Sequence, residues 1–472
     1  MYDIKIFSSR MSKIAALLAI LPAFLFSSCK KFVTIPPPQD QVVSATVFMD
    51  DKTATAAILG IYTQMMGVGT GYLMTGALTT YPGLSGDEIY NVTSGTNYDA
   101  FATNSLLKTN VTVQNNLWRF AYAYIYQANA CLEGLAASNK LSDAVKKQLT
   151  GECLFVRAYC YFYLTGLFGD VPLETTTNYL TNAVAPRTSS VKVLQQVSSD
   201  LDSAQALLVP AYPAGGLVAG PVRPNKWAAT ALQARVHLYQ KNWSAAETAA
   251  SAVINSGMYN LVGNLNAVFL ANSKEAILQI QPVMFNQNTG EGAVFIPAKA
   301  TTIPTFSIPD TTLRAFEAGD QRKNSWIKTV TIGGKTYSYP YKYKVRSGFT
   351  VTEYSMVERL AEQYLIRAEA RAQQNNISGA TADLDTIRVR AGLPPLPSTL
   401  NQAACLLAVE QERRIELFTE WGHRWLDLRR TGRINTALGG EKSNWVATDS
   451  LYPIPYAEIQ KNVSLTQNPG YE

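Results

Sequence analysis

Three glutamates near the carboxyl end of the chain recur every four residues in a segment dense in arginine: Glu412, Glu416 and Glu420. This spacing would place them on one face of a helix, and paired carboxyl groups are the catalytic equipment of glycoside hydrolases. Such an enzyme needs one carboxyl with a raised pKa, whereas neighbouring arginines lower the pKa of a carboxyl. The pattern therefore favours a structural ion network, with Glu420 reaching Arg424 one turn on, and we assign no catalytic residue.

A second set of residues mixes aromatic, acidic and amide side chains in one polar region. Aromatic rings can pack against the C–H faces of sugars, and carboxylates and amides can hydrogen-bond to hydroxyl groups. The predicted ligand-binding residues here are Tyr81, Asp87, Glu88, Tyr90, Asn91, Asn97 and Tyr98. Ordinary solvated loop composition is the alternative interpretation.

Four tyrosines alternate further along the chain, at Tyr337, Tyr339, Tyr341 and Tyr343. This is the period of a strand, so the four rings could line one face as a stacking platform. A half-buried ladder that faces the core is the simpler interpretation and is favoured. Tyr339, Tyr341 and the nearby Trp326 are kept as candidate ligand-binding residues.

Histidine, cysteine and net charge exclude several classes of function. The two histidines, His237 and His423, show no spacing typical of a metal site or a catalytic triad. Past the amino-terminal region the cysteines, expected to be buried thiols, are Cys131, Cys153, Cys160 and Cys405. The net charge of +6 on 472 residues is small and evenly spread, which argues against nucleic acid as a partner. We expect no metal and no cofactor.

The amino terminus has the pattern of a lipoprotein signal peptide. Basic residues precede an apolar run, which ends in small residues directly before Cys29. The run is too short for a membrane-spanning helix, which takes ~20 residues. Residues 1–28 are therefore predicted to be cleaved, Cys29 to be lipidated, and residues 29–40 to form a proline-rich tether. The alternative is an ordinary secretory signal with a chance cysteine.

Helical periodicity predicts two similar pairs of antiparallel helices. The first runs from about Trp227 to Val253 and the second from Ala361 to Ala391. Alanines at the helix crossings and a glycine stop are typical of tetratricopeptide-type hairpins, although two unrelated amphipathic hairpins would show the same pattern. Because the pairs are far apart in sequence, no regular solenoid is expected.

Strand signals and loops occupy the remaining regions. A strand is predicted at Ala276–Gln281 and a β-hairpin from Thr329 to Tyr337. Residues 68–115 and 282–350 show little helical periodicity and are predicted to be long loops, which is where function usually lies.

The segment from Glu410 to Gly432, with Tyr452–Ile459 and Asn462–Tyr471, closely resembles the SusD/RagB family of outer-membrane nutrient-binding lipoproteins of Bacteroidetes. Arg157–Phe162 and Arg359–Ala370 extend the match. The resemblance covers nearly the whole chain after Cys29.

The resemblance implies a mainly α fold with tetratricopeptide-like hairpins, long loops and a few short strands. One SusD-like domain is expected over residues 41–472, with a SusD-like part at about 41–257 and a RagB/SusD part at about 258–472.

The resemblance also implies a binding protein without catalysis, anchored by lipid in the outer membrane and exposed at the cell surface. Its partner would be a SusC-like TonB-dependent transporter, to which such a lipoprotein delivers glycans or peptides, and a glycan is the favoured ligand for this chain. Lys30 and Lys31 stand where such lipoproteins often carry acidic residues. A peptide ligand, a surface glycoside hydrolase and a helical adaptor are the alternatives.

Overall fold

The computed structural model describes residues 44–67, 71–213 and 220–472. Cys29, the signal peptide and the tether lie outside the described residues, so these assignments stay predictions. Within the described part, no helix is both long enough and apolar enough to cross a membrane. A short helix, α1 (Ser44–Val47), belongs to one unit, and residues from Phe48 to Glu472 form a second unit.

Helices dominate the second unit, as the sequence predicted. Several begin at a side chain that accepts hydrogen bonds from the first turn: Asp50 accepts from the amides of Lys52 and Thr53 at 2.8 and 2.9 Å, and Asn225 accepts from that of Ala228. The helices are α2 (Asp51–Met65), α3 (Leu78–Ser85), α4 (Asp99–Ala102), α5 (Phe120–Ala137), α6 (Asp143–Phe168), α7 (Tyr179–Asn182), α8 (Ser190–Leu207), α9 (Lys226–Tyr239), α10 (Trp243–Ile254), α11 (Gly290–Phe295), α12 (Asp310–Ala315), α13 (Gln321–Trp326), α14 (Leu360–Gln373), α15 (Ile377–Arg390), α16 (Gln402–Glu416), α17 (His423–Arg430), α18 (Ile434–Leu438) and α19 (Tyr456–Lys461).

The strands of the described residues are short and pair in twos. They are β1 (Tyr90–Asn91), β2 (Val171–Pro172), β3 (Arg187–Thr188), β4 (Ala276–Ile280), β5 (Phe306–Ser307), β6 (Ile327–Ile332), β7 (Lys335–Pro340) and β8 (Ser355–Arg359). The antiparallel pairs are β1 with β5, β2 with β3, β4 with β8 and β6 with β7. The predicted strand is β4, and the predicted hairpin is β6–β7, which turns at Gly333 and Gly334. Both glycines have positive φ, as this type of tight turn requires.

The two predicted helical hairpins are confirmed as α9–α10 and α14–α15. They are distant in sequence, yet α10 packs directly on α14. Alanines make this possible: Ala234, Ala246 and Ala250 of the first hairpin share a buried cluster with Ile366 and Ala370 of the second. The series α5, α6, α8, α9, α10, α14 and α15 is therefore continuous in space, although residues 255–359 interrupt it in the chain.

The prediction of a long loop over residues 68–115 is wrong. This region contains a kinked segment at Leu73–Ala77, in which Thr75 and Gly76 have non-helical backbone angles, and a π-helical turn at Val113–Arg119, together with α3 and α4. Every residue of α3 is buried, so the helix lacks the alternation of polar and apolar faces that periodicity analysis detects. The region 282–350 likewise contains the short elements α11 to α13 and β5 to β7.

Candidate functional site

The glutamate series lies in the core and forms an ion network, as the sequence favoured. Glu416 accepts hydrogen bonds from Arg359 at 2.6 Å and from Arg322 at 3.0 Å, and Glu420 accepts from Arg359 at 2.8 Å and from Lys342. All five side chains are buried. We call these five residues the core network; it joins the end of β8 to the end of α16.

The pKa values in this region follow the balance between burial and neighbouring cations. Burial acts to raise the pKa of Glu416 and Glu420, but arginine and lysine outweigh it, and both pKa values are lowered. At Glu412 burial outweighs the effect of Arg322, so the pKa of Glu412 is raised. The expectation of a lowered pKa is therefore wrong for Glu412.

Asp87, a predicted ligand-binding residue, is instead held in the core by two arginines. Its carboxylate accepts hydrogen bonds from Arg424 and Arg414 at 2.9 Å, and only 4% of the residue is exposed.

The predicted contact between Glu420 and Arg424 is also wrong. The chain leaves the helix after α16 and turns through the positive φ of Thr419, which separates the two side chains.

Glu88 is a second buried acid among the predicted ligand-binding residues. Its Oε1 accepts a hydrogen bond from the amide of Thr419 at 2.8 Å, and burial raises the pKa of its carboxyl to about 7. Glu291, at the start of α11, is similar: burial raises its pKa to about 7, and Ser355 donates a hydrogen bond to it at 3.2 Å. Glu88 therefore lies inside the fold, where it is closed to a ligand.

Three predicted aromatic residues are also core residues. Trp326 has no exposed surface, and its indole N–H donates to the carbonyl of Leu265 at 3.0 Å. Tyr81 stacks on Phe101 with ring centroids 4.5 Å apart, and Tyr339 is buried on β7. The assignment of Tyr81, Trp326 and Tyr339 to a ligand site is corrected, because packing covers their rings.

Other predicted residues do reach the surface, on the loop after β1. Asn91 donates to Asp99 Oδ1 at 2.6 Å, and Asp99 Oδ2 accepts from the amide of Gly95 at 2.6 Å. These bonds close the loop and present Asn97 to solvent, with Tyr98 half-buried beside it. Tyr90, on β1, is also half-buried.

Tyr341, just after β7, is the remaining candidate. Its ring is half-buried, and the ammonium groups of Lys344 and Lys328 lie 4.3 and 4.8 Å from the ring centroid. The cations occupy positions over the ring, which leaves it less available to a sugar than an open aromatic face.

The most accessible aromatic pair of the described residues was not selected from the sequence. Phe285 and Phe349 are 84% and 76% exposed. Their ring centroids lie 5.3 Å apart, and the ring planes meet at 67°. Val283, Met284 and Val351 flank them and are also exposed. We call these five residues the aromatic platform.

Hydrogen bonds hold the two loops of the aromatic platform together. The amide of Gly348 donates to the carbonyl of Asn286 at 3.2 Å. Asn288 Oδ1 accepts from the amides of Thr352 and Glu353 at 2.8 and 3.0 Å. The two rings are therefore presented by a braced backbone, and exposed apolar side chains on such loops mark binding surfaces.

A sequence signal for the platform exists in retrospect. The apolar residues Val283-Met284-Phe285, Phe349 and Val351 lie in stretches otherwise rich in Asn, Gln, Gly and Thr, without helical or strand periodicity. Such residues belong to no helix or strand with a face turned toward the core, so their side chains are not buried by secondary structure.

Val283 also lines an apolar cavity of about 140 Å³ bounded by α2, α6 and β4. The described residues contain no group of His, Cys, Asp and Glu that could hold a metal ion.

Comparison with known proteins places the chain in a family. A SusD-like family model, described as starch-binding and associating with the outer membrane, matches residues 51–238, and the SusD family model matches residues 313–471. A SusD-like protein of Formosa agariphila is 24% identical, over 94% of this chain and 97% of its own length.

Solved structures share the fold. A SusD superfamily protein of Bacteroides vulgatus is 22% identical, with a TM-score of 0.79 over 89% of this chain and 99% of that one. A laminarin-binding SusD-like protein is 23% identical, with a TM-score of 0.74 over 90% and 100% of the two chains. The predicted mainly α fold is confirmed, and this chain belongs to the SusD/RagB family of Bacteroidetes.

Proposed function

We propose that this protein is a lipid-anchored, non-enzymatic lipoprotein of the outer membrane that captures an oligosaccharide and delivers it to a SusC-like TonB-dependent transporter. The aromatic platform makes the main contact with the glycan, and Cys29 carries the anchor. The observation that carries the proposal is the exposure of Phe285 and Phe349 on hydrogen-bonded loops.

The energy available from two exposed rings suits reversible capture. Burying one large apolar side chain contributes about 1.5–3 kcal/mol, so two rings provide about 3–6 kcal/mol before the cost of association. Dissociation constants from 1 mM to 1 μM correspond to roughly 4–8 kcal/mol. Contacts to sugar hydroxyls would supply the remainder and the specificity.

The loop after β1 supplies such polar contacts in this proposal. Asn97 is open to solvent, and Tyr90 and Tyr98 each keep part of the ring at the surface. An amide beside an aromatic edge can hydrogen-bond to a hydroxyl while the ring covers a C–H face. Asn91 braces the loop through Asp99, and Tyr341 is a peripheral candidate.

The family supports a glycan as the ligand class. One relative is the starch-binding protein SusD of Bacteroides thetaiotaomicron, and one structural neighbour is laminarin-binding. The burial of the carboxyls supports binding without hydrolysis. The glutamates of the series proposed from the sequence are paired with buried arginines and Glu88 is enclosed, whereas a glycosidase acid must reach the scissile bond.

Binding measurements on the purified protein with a panel of oligosaccharides and peptides test this proposal. Laminarin, starch and other oligosaccharides, together with a set of peptides, would be measured by calorimetry, and each mixture would then be analysed for released monosaccharide. We expect saturable binding of one glycan class without product. Released monosaccharide would show an enzyme, and binding restricted to peptides would favour a RagB-like peptide carrier.

A further inference from the structure

A cleft that shares no residue with the aromatic platform lies between α14, α16 and α17. Its volume is about 380 Å³, and its walls combine arginines with aliphatic side chains. The arginines are Arg413, Arg414, Arg424, Arg430 and Arg433, and the aliphatic residues are Ala403, Leu406, Leu407, Val409 and Leu428. We call this space the arginine cleft. A second space of about 320 Å³ shares part of its lining.

Positive charge exceeds negative charge in the arginine cleft. The acidic residues of its lining are Glu369, Glu410 and Asp427, which stand against five arginines. Glu369 is bound by Arg430 at 2.6 and 2.7 Å. Asp87, behind the lining, binds Arg414 and Arg424. With it, four carboxylates stand against the five arginines, so one guanidinium group is in surplus, and such groups prefer planar carboxylates that accept two hydrogen bonds.

Arg413 is the more deeply buried of the two buried arginines in this lining, and one of its nitrogen atoms lacks a hydrogen-bond partner in the described part of the chain. Its Nε and Nη2 donate to Asp427 at 2.8 and 3.1 Å, and the residue is 2% exposed. Its Nη1 is buried and has no hydrogen-bond partner among the described residues. Because Nη1 is closed to solvent, Arg413 contributes positive charge to the wall of the cleft, and the hydrogen bonds to a ligand come from the more exposed arginines.

Arg433 and Glu410 show which group the mouth of the cleft accepts. Arg433 is 45% exposed, and its Nη1 lies 2.9 Å from Glu410 Oε2. The other oxygen of Glu410 lies 3.5 Å from Arg424 Nη1. A carboxylate of the chain itself thus bridges two arginines at the mouth, beside Leu407, which is 56% exposed.

We propose that the arginine cleft binds an apolar chain that ends in a carboxylate. The aliphatic walls take the apolar part, and Arg433 with its neighbours takes the carboxylate. Such a group occurs at the carboxyl terminus of a polypeptide with an apolar last residue, and also in small aliphatic acids.

Calorimetry with simple probes tests the site in the purified full-length protein. Hexanoate would be compared with 1-hexanol and with inorganic phosphate, and acetyl-leucyl-leucine with its carboxamide. We expect hexanoate to bind at least about tenfold more tightly than hexanol, a difference that one charge-assisted contact can supply. A dipeptide acid that binds more tightly than hexanoate identifies a polypeptide terminus as the source, and the reverse order identifies a small acid.

We expect two substitutions at the mouth of the cleft to change the affinity for hexanoate in opposite directions. Arg433→Gln should weaken hexanoate about fivefold, and Glu410→Gln, which removes a competing carboxylate, should tighten it by about threefold. Arg119→Gln removes an exposed arginine that does not line the cleft, and we expect it to leave the affinity for hexanoate unchanged. Equal binding of hexanoate and hexanol, tighter binding of phosphate, or equal effects of Arg433→Gln and Arg119→Gln would each overturn the proposal. Absence of carboxylate binding up to about 10 mM would overturn it as well.

Discussion

The core network and the aromatic platform contrast in how the fold uses residues that are suited to sugar binding. Acids and aromatic rings surround the core network, where Asp87 is bound by two arginines and Trp326 is fully enclosed. In the aromatic platform, Phe285 and Phe349 stand in solvent on braced loops. Side chains typical of a sugar site are buried in the first region, and side chains typical of a core are exposed in the second, so exposure and not residue type separates the structural role from the binding role.

The two regions should also differ in which property a substitution changes, the free energy of unfolding or the affinity for the ligand. Buried charges contribute to the fold only while they stay paired, so the loss of one partner is costly. Exposed side chains on a surface loop contribute little to the free energy of unfolding. Substitutions in the core network should therefore change stability, and those at the platform should change affinity alone.

The largest expected effect is at Arg359, which binds Glu275, Glu416 and Glu420. Arg359→Met leaves buried carboxylates without their cation and should lower the free energy of unfolding by about 3–5 kcal/mol. Urea unfolding measures this change. The exposed Arg119→Met is the control and should stay within about 0.5 kcal/mol of the unsubstituted protein. A loss at Arg359 as small as that of the control would show that the network does not stabilise the fold.

Glu88 should give a somewhat smaller effect that depends on pH. Burial raises its pKa from 4.5 to about 7 in the folded protein, so the folded state binds more protons than the unfolded state between these values. Stability is therefore lost as pH rises from 4.5 to about 7 and is constant above it, with a total of about 3 kcal/mol.

Glu88→Gln removes this titration and should make the protein more stable than the unsubstituted form at pH 8, with little difference at pH 4. Unfolding curves across this range measure the change. Glu441→Gln, at an exposed position, is the control and should shift stability by the same small amount at both pH values. A parallel response of the two variants would place Glu88 in contact with solvent.

Much of the fold could be predicted because its helices are amphipathic. The alanine and leucine spacing of α9–α10 and α14–α15 indicated hairpins, and the strand period with paired glycines indicated β6–β7. The helix α3 was missed because all its residues are buried, which removes periodicity as a signal. The packing of α10 on α14 was also out of reach, since it depends on a contact across residues 255–359.

The site was harder to predict than the fold, for a related physical reason. Asp87, Glu88 and Trp326 have the side chains that a sugar site needs, but their burial depends on tertiary contacts such as that between Asp87 and Arg424. Phe285 and Phe349 have the side chains of core residues and are exposed instead. The apolar residues around Phe285 and Phe349 lie in polar stretches without periodicity, which is a local signal of exposure, whereas the burial of Asp87, Glu88 and Trp326 has no local signal.

Tyr98 lies between the two extremes and should show an intermediate effect. Its ring is half-buried and makes an edge contact with Phe306 at 4.8 Å. Tyr98→Ala should weaken the glycan about tenfold, or roughly 1.4 kcal/mol, with a modest loss of stability. Calorimetry against the glycan found in the panel measures it, with Tyr179→Ala, at an exposed position on α7, as a control. Affinity equal to that of the control would remove the loop after β1 from the site.

The central claim is that Phe285 and Phe349 hold the glycan, and the affinity of the double variant Phe285→Ala with Phe349→Ala tests it most directly. Calorimetry with the tightest oligosaccharide of the panel should show a loss of at least about 30-fold, or roughly 2 kcal/mol, because burial of the two rings together contributes about 3–6 kcal/mol. The free energy of unfolding should stay within about 0.5 kcal/mol. An affinity within about twofold of the unsubstituted protein, with Tyr179→Ala as the matched control, would contradict the account.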